Sequence, residues 1–217
     1  MDPVLKKLKA VERFLRYSSR AFLRDSRNRI LYGPEAPRYA ERIWVNPQAC
    51  TECLYGIGDR YSGRVVEGAW PPAGCRLKSL MEIEKLRSCI DHWSRGIPWE
   101  ETGIFRFLEG EIEKHPRRVF DDCRSREDLE KRYAGLDLLF ERVKADMRLR
   151  TSREVNPWAF RERGGISFHV GPEGRLFFGG NGCHRFGMAL VLGLTRIPAK
   201  IGCVHISAIP LLGSLRE

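Results

Sequence analysis

Apolar residues recur at helical spacing near the start of the chain. Val4, Leu8, Val11, Leu15 and Phe22 mark one stripe, widened by Leu5, Phe14 and Leu23. Lys6, Lys7, Lys9, Arg13, Arg16, Arg20 and Arg24 fill the other side, so the pattern predicts a basic amphipathic helix over 4–23. Residues 25–42, with Gly33, Pro34 and Pro37, break the period and read as a connector. Ile43-Trp44-Val45 predicts a short strand, stopped by Asn46-Pro47. The Gly- and Pro-rich stretch 56–76 predicts ordered loop with a short strand at 64–66.

Three helices are predicted next. Leu80, Ile83, Leu86 and Ile90 share a face across 77–93, with Gly96 as the stop. Pro98, Glu100 and Glu101 suit a new helix start, running to about Lys114 ahead of Pro116. Ser125 and Asp128 resemble a capping box, and Leu129, Tyr133, Leu136, Leu139, Phe140 and Val143 carry that helix to about 148. From Gly164 the period becomes two: Ile166, Phe168 and Val170 alternate with Ser167 and His169. Gly171-Pro172-Glu173-Gly174 makes a turn, and 175–178 returns as the second strand of a hairpin. A glycine loop, a helix over 186–194 and a strand over 199–206 follow. The expected class is α+β, with a helical N-terminal and middle portion and a small C-terminal mixed sheet. The expected division is 1–42 as helix and connector, and 43–217 as one domain with a helical insertion at about 77–150.

A chain of 217 residues supports one good core or two small ones. No stretch reaches the roughly 20 apolar residues that span a bilayer. Basic residues interrupt any signal-peptide core, so a cytoplasmic location is expected. The seven cysteines are odd in number and scattered, which favours thiols over a disulfide framework. A net charge of +10 admits nucleic acid, acidic membranes or phosphorylated ligands without choosing among them. The basic helix at 4–24 admits peripheral membrane or protein contact, or simple docking on its own domain.

The chemistry concentrates at Gly179-Gly180-Asn181-Gly182-Cys183-His184-Arg185, which follows an apolar run and opens a helix. Glycines let backbone approach a ligand, and a helix start presents unpaired N–H groups to an anion. The loop therefore predicts phosphate binding, with His184 and Arg185 as added donors. Cys183 reads either as a reactive thiol at a helix start or as a small buried hydrophobe. His169, near Ser167, either faces the loop across the hairpin or is structural. Arg161 and Arg163 either reach phosphate or sit in solvent. Cys50 and Cys53 have the spacing of half a zinc site or a redox pair, but no second CxxC or paired His accompanies them, and no metal ligands are expected.

The run Phe178 to Phe186, followed by Leu192-Gly193-Leu194-Thr195-Arg196-Ile197-Pro198-Ala199-Lys200, resembles the ParB/sulfiredoxin superfamily. The likeness covers about residues 164–206, and Gly182-Cys183-His184-Arg185 matches the sulfiredoxin signature. It implies Cys183 as nucleophile, with His184 beside it, and His184 and Arg185 as phosphate binders. It implies ATP or another nucleotide as cofactor, with Mg2+. The expected function is that of a nucleotide-binding, ATP- or ADP-dependent phosphotransferase acting on a small-molecule substrate. Two alternatives stay open. One is a nucleic-acid or partner-binding module switched by nucleotide. The other is a sulfiredoxin-type, ATP-dependent thiol reductase using Cys183.

Overall fold

In a computed structural model of the protein, the described backbone covers residues 3–217 apart from Pro116 and Arg118. Side chains of residues 3–10, Arg13 and Asp59 fall outside the description. The predicted stripe positions Val4, Leu5 and Leu8, and the basic positions Lys6, Lys7, Lys9 and Arg13, therefore lie outside the described side chains. The class is α+β, with helices around a mixed sheet.

The first helix, α1 (Pro3–Tyr32), continues through the segment expected to be a connector. The reason is local: no glycine or proline interrupts 4–32, and Gly33 with φ +83° ends it. The apolar stripe does not become the docking face, since Val11, Leu15 and Phe22 are all exposed. Docking runs instead through Ala21 and Asn28, whose Nδ2 donates to the carbonyls of Pro37 and Gly63 at 2.6 Å each. Gly63 must be glycine there: its φ is +70°, and a Cβ would meet the Arg38 carbonyl at 2.7 Å. A buried amide that satisfies two carbonyls outweighs a few exposed aliphatic groups in fixing this helix.

The strands are β1 (Arg42–Val45), β2 (Glu52–Tyr55), β3 (Val65–Val66), β4 (Arg76–Ser79), β5 (Ile166–Val170), β6 (Leu176–Phe178) and β7 (Ile197–His205). Among the described residues they form one seven-stranded sheet in the order β1-β7-β5-β6-β2-β4, with β3 also on β7. The predicted hairpin is present as antiparallel β5 and β6, and β7 lies parallel to β5. Two strands depart from expectation. Cys50-Thr51-Glu52-Cys53 enters β2, which takes its neighbours from distant parts of the chain. Leu77, expected to open a helix, sits in β4 opposite Leu54. The remaining helices are α2 (Glu84–Arg95), α3 (Ile104–Lys114), α4 (Arg126–Asp146), α5 (Ser152–Val155), α6 (Cys183–Val191) and α7 (Leu212–Arg216).

The helix signals held where they had a mechanism. Gly96 ends α2 in the left-handed region with its N–H on the Asp91 and His92 carbonyls. Ser125 caps α4 by accepting from Asp128 N–H. The Asp128 carboxylate reaches back to Arg124 N–H at 2.9 Å, one residue short of a full capping box. Pro98 to Gly103 forms turns, and α3 begins only at Ile104.

The main core lies on one side of the sheet, with a smaller cluster of Leu54, Phe177 and Cys203 on the other. Ile166, Phe168, Phe178, Ile197, Ala199 and Ile201 pack in one apolar cluster with α6 and with the helices of the middle segment. Phe186 of α6 meets Phe168 edge-on at 5.3 Å and Phe178 at 4.5 Å. Among the described residues no helix is long and apolar enough to cross a membrane.

Candidate anion-binding site

The glycine loop sits where the pattern puts it, between β6 and α6. Gly182 adopts φ +83° at the helix start, and no side chain caps that end. A Cβ on Gly182 would meet Ile166 at 3.0 Å, so the loop can cross β5 only as glycine. Gly180 is also in the left-handed region, at φ +78°, and Asn181 is exposed. Loop and strand are tied: Gly179 N–H donates to Ser167 O at 2.8 Å, and Ser167 N–H donates to Asn181 O at 3.2 Å.

The next three side chains fan apart, because consecutive helical residues do not share a face. Cys183 turns into the core and donates its S–H to Gly180 O at 3.3 Å. Burial pushes its thiol up to about 11, and Lys85 only partly opposes this. His184 is also buried, edge-on to Tyr133 with Nε2 3.2 Å from the phenol oxygen. Burial holds its imidazole down at about 4, although Asp121, 3.8 Å away, pulls the other way. Arg185 donates to Gly164 O at 2.6 Å. All three side chains thus serve the protein, leaving the loop's backbone as the part able to meet a ligand. A thiol at about 11 is a poor nucleophile at neutral pH.

The other side of the hairpin differs. Ser167 and His169 alternate away from the apolar cluster and approach Gly179. A Cβ there would collide with Ser167 Oγ and lie 2.9 Å from His169 Nε2. His169 therefore does face the loop across the hairpin. Its Nδ1 accepts from Cys203 N–H at 2.9 Å, which places the ring proton on Nε2. Burial alone holds this imidazole down at about 4, so it stays neutral at neutral pH.

The same side of the sheet carries the principal cleft, about 1140 Å³, beneath α1. Arg20, Arg24 and Arg27 enter it from α1, and Arg60 and Arg64 from the segment before β3. Among the described residues none of the five lies within ion-pair distance of a carboxylate. Arg24 is held below the usual guanidinium range, first by burial and then by Arg64 and Arg27. Tyr32, Tyr39 and Tyr61 supply aromatic walls, with the Arg60 and Arg64 guanidiniums each 5.0 Å from the Tyr61 ring. Glu67 is the carboxylate of the lining and accepts from Tyr32 Oη at 2.9 Å. Such a cationic concavity concentrates anions.

Sequence reasoning noticed Arg20 and Arg24 as the polar face of a helix but not the cleft. Arg60 and Arg64 lie about forty residues away in a glycine-rich stretch, and only the fold brings the two sets together. Arg161 pairs with Asp25 at 2.7 Å, and Arg163 stacks at 3.8 Å on Tyr17. Both help seat α1. Cys50, just before β2, and Cys53, within it, are buried thiols pushed up to about 11 and 12 by burial. Among the described residues no three His, Cys, Asp or Glu side chains gather as a metal site. Comparison with known protein families, with curated proteins and with solved structures found no match.

Proposed function

We propose that this protein binds a nucleotide in the arginine-lined cleft and transfers its terminal phosphoryl group to a small molecule. The observation that carries the binding half is the convergence, on one cavity with tyrosine walls, of five arginines that have no carboxylate partner among the described residues. Crowded cations repel one another, so the arrangement is poor for stability and well suited to a polyphosphate. Guanidinium forks match phosphate oxygens, and aromatic faces match a base. The volume, about 1140 Å³, is ample for a nucleoside triphosphate. Any Mg2+ would arrive chelated by the nucleotide's own phosphates. The likeness of residues 164–206 to ParB/sulfiredoxin proteins agrees with this ligand class.

In the transfer, an acceptor hydroxyl oxygen bonds to the terminal phosphorus and the phosphoanhydride bond breaks. The nucleotide leaves one phosphoryl shorter, and Glu67 takes the hydroxyl proton. The arginines stabilise charge on the phosphoryl oxygens. A Cys183-based thiol reductase has less support, because that thiol is buried, committed to Gly180 O and raised to about 11.

The test is a thermal-shift panel of ATP, ADP, CTP and GTP, with and without Mg2+. At least one nucleotide should raise the midpoint in a concentration-dependent way. Glu67→Gln should keep that shift and lose the acceptor-dependent conversion of nucleoside triphosphate to diphosphate. No shift with any nucleotide contradicts the reading. A nucleic-acid role is favoured by one feature: Arg20, Arg24 and Arg27 line up along α1 beside the cleft. It predicts polynucleotide affinity that falls steeply with salt.

A further inference from the structure

Between β5, β7 and the segment 57–62 lies a second, much smaller pocket of about 10 Å³. Ser167, His169, Lys200 and Gly179 line it. Ser167 and His169 are each 3 % exposed, and Lys200 is 2 % exposed. Ser167 Oγ and His169 Nε2 have no hydrogen-bond partner among the described residues. Buried polar atoms are nearly always paired, so two at one point call for an explanation.

The pocket is donor-rich. His169 presents N–H from Nε2, because Cys203 N–H occupies Nδ1. Ser167 presents O–H, and Lys200 of β7 also lines the pocket. Two glycines make room. A Cβ at Gly179 would collide with Ser167 Oγ, and one at Gly202 would collide with His169 Nδ1. A register shift in the β5–β7 pairing after Phe168 lets both Gly202 and Cys203 approach this side. The two cavities adjoin. Ile57 lines both, and the consecutive pairs Tyr61/Ser62 and Cys203/Gly202 contribute one residue to each.

We propose that this donor pocket is a subsite for one terminal phosphoryl oxygen of the ligand held by the arginine cleft. This rests on the nucleotide reading above. The pocket's volume fits a single oxygen-sized atom, not a whole phosphate. Two convergent donors, Ser167 O–H and His169 Nε2–H, select an atom bearing only lone pairs, as a preorganised oxyanion hole does. The phosphoryl group thereby gains an orientation that the cleft arginines alone would not impose.

The test is calorimetric titration of ATP and AMP at fixed salt into wild type, Ser167→Ala, His169→Asn and the cleft double variant Arg24→Gln/Arg64→Gln. Asparagine at 169 can still accept from Cys203 N–H but lacks the Nε2 donor. Ser167→Ala and His169→Asn should each weaken ATP about tenfold and leave AMP unchanged. Ligand-free Ser167→Ala should melt no lower than wild type, which separates lost contact from lost fold. If both variants bind ATP as wild type does while the cleft variant loses it, the subsite is overturned and the cleft reading survives. If wild type binds no ATP, both fall together.

Discussion

The two sides of the sheet are built to opposite rules. On the α6 side Phe168, Phe178, Phe186 and Ile201 are fully buried among one another, and even Cys183 and His184 point into that packing. On the α1 side the same strands bury Ser167, His169 and Lys200 beside a small apolar cluster of Leu54, Phe177 and Cys203, with two polar atoms unpaired among the described residues, next to a cleft of arginines that have no carboxylate partner among those residues. One side is explained by folding alone. The other carries buried polar and charged groups that folding alone does not require, and the proposed binding function rests on them. The glycine loop runs between the two, and its recognisable side chains belong to the folding side.

Phe186→Ala should separate the sides most sharply. It removes a ring at 0 % exposure that touches two others and should cost about 3–5 kcal/mol in chemical denaturation. Ser167→Ala, across the strand, should be neutral or slightly stabilising, because it deletes an unpaired hydroxyl. Equal losses for the two would erase the distinction.

The pH dependence of stability sharpens it further. His169 titrates near 4 when folded, against about 6.5 unfolded, so the unfolded chain binds the proton first. Its contribution is fully present above about pH 6.5 and is lost as pH falls towards 4, to the extent of about 3 kcal/mol. The stability of wild type measured against His169→Asn should converge or cross over that window. A difference that does not change with pH would contradict a buried neutral imidazole.

Arg24→Gln/Arg64→Gln should reverse the usual sign of mutation. The ligand-free midpoint should rise by a few degrees as repulsion is relieved, while ATP affinity drops about tenfold to a hundredfold. The smallest effect belongs to Cys183. With its thiol near 11, alkylation at pH 8 should be slower than in the unfolded chain, and Cys183→Ser should bind nucleotide as wild type does. Rapid labelling of folded protein at that residue would overturn this placement.

The legibility of the two sides differed for a physical reason. Alternation at 166–170 has period two, so the sequence alone separated Ile166, Phe168 and Val170 from Ser167 and His169. The hairpin, the Gly96 stop and the Ser125 cap are equally local and were equally readable. The strand Glu52–Tyr55 was not, since its pairing with β6 is a long-range parallel contact at Cys53 and Phe178. The spacing of Cys50 and Cys53 pointed to ligand chemistry where the chain simply turns into a strand. The cleft was invisible because its arginines come from α1 and from a loop about forty residues later. The motif at 179–185 falls on the loop between β6 and α6, as its local pattern predicts. Reading Cys183, His184 and Arg185 as one cluster overlooked that neighbouring helical residues diverge by about 100°.

The most direct measurement follows the imidazole signals of His169 and His184 by NMR, assigned with His169→Asn and His184→Asn proteins, during ATP titration. Saturable movement of the His169 signal, with His184 unchanged, is the expected result. Movement of His184 with His169 unchanged would place the ligand on the α6 side and contradict the account.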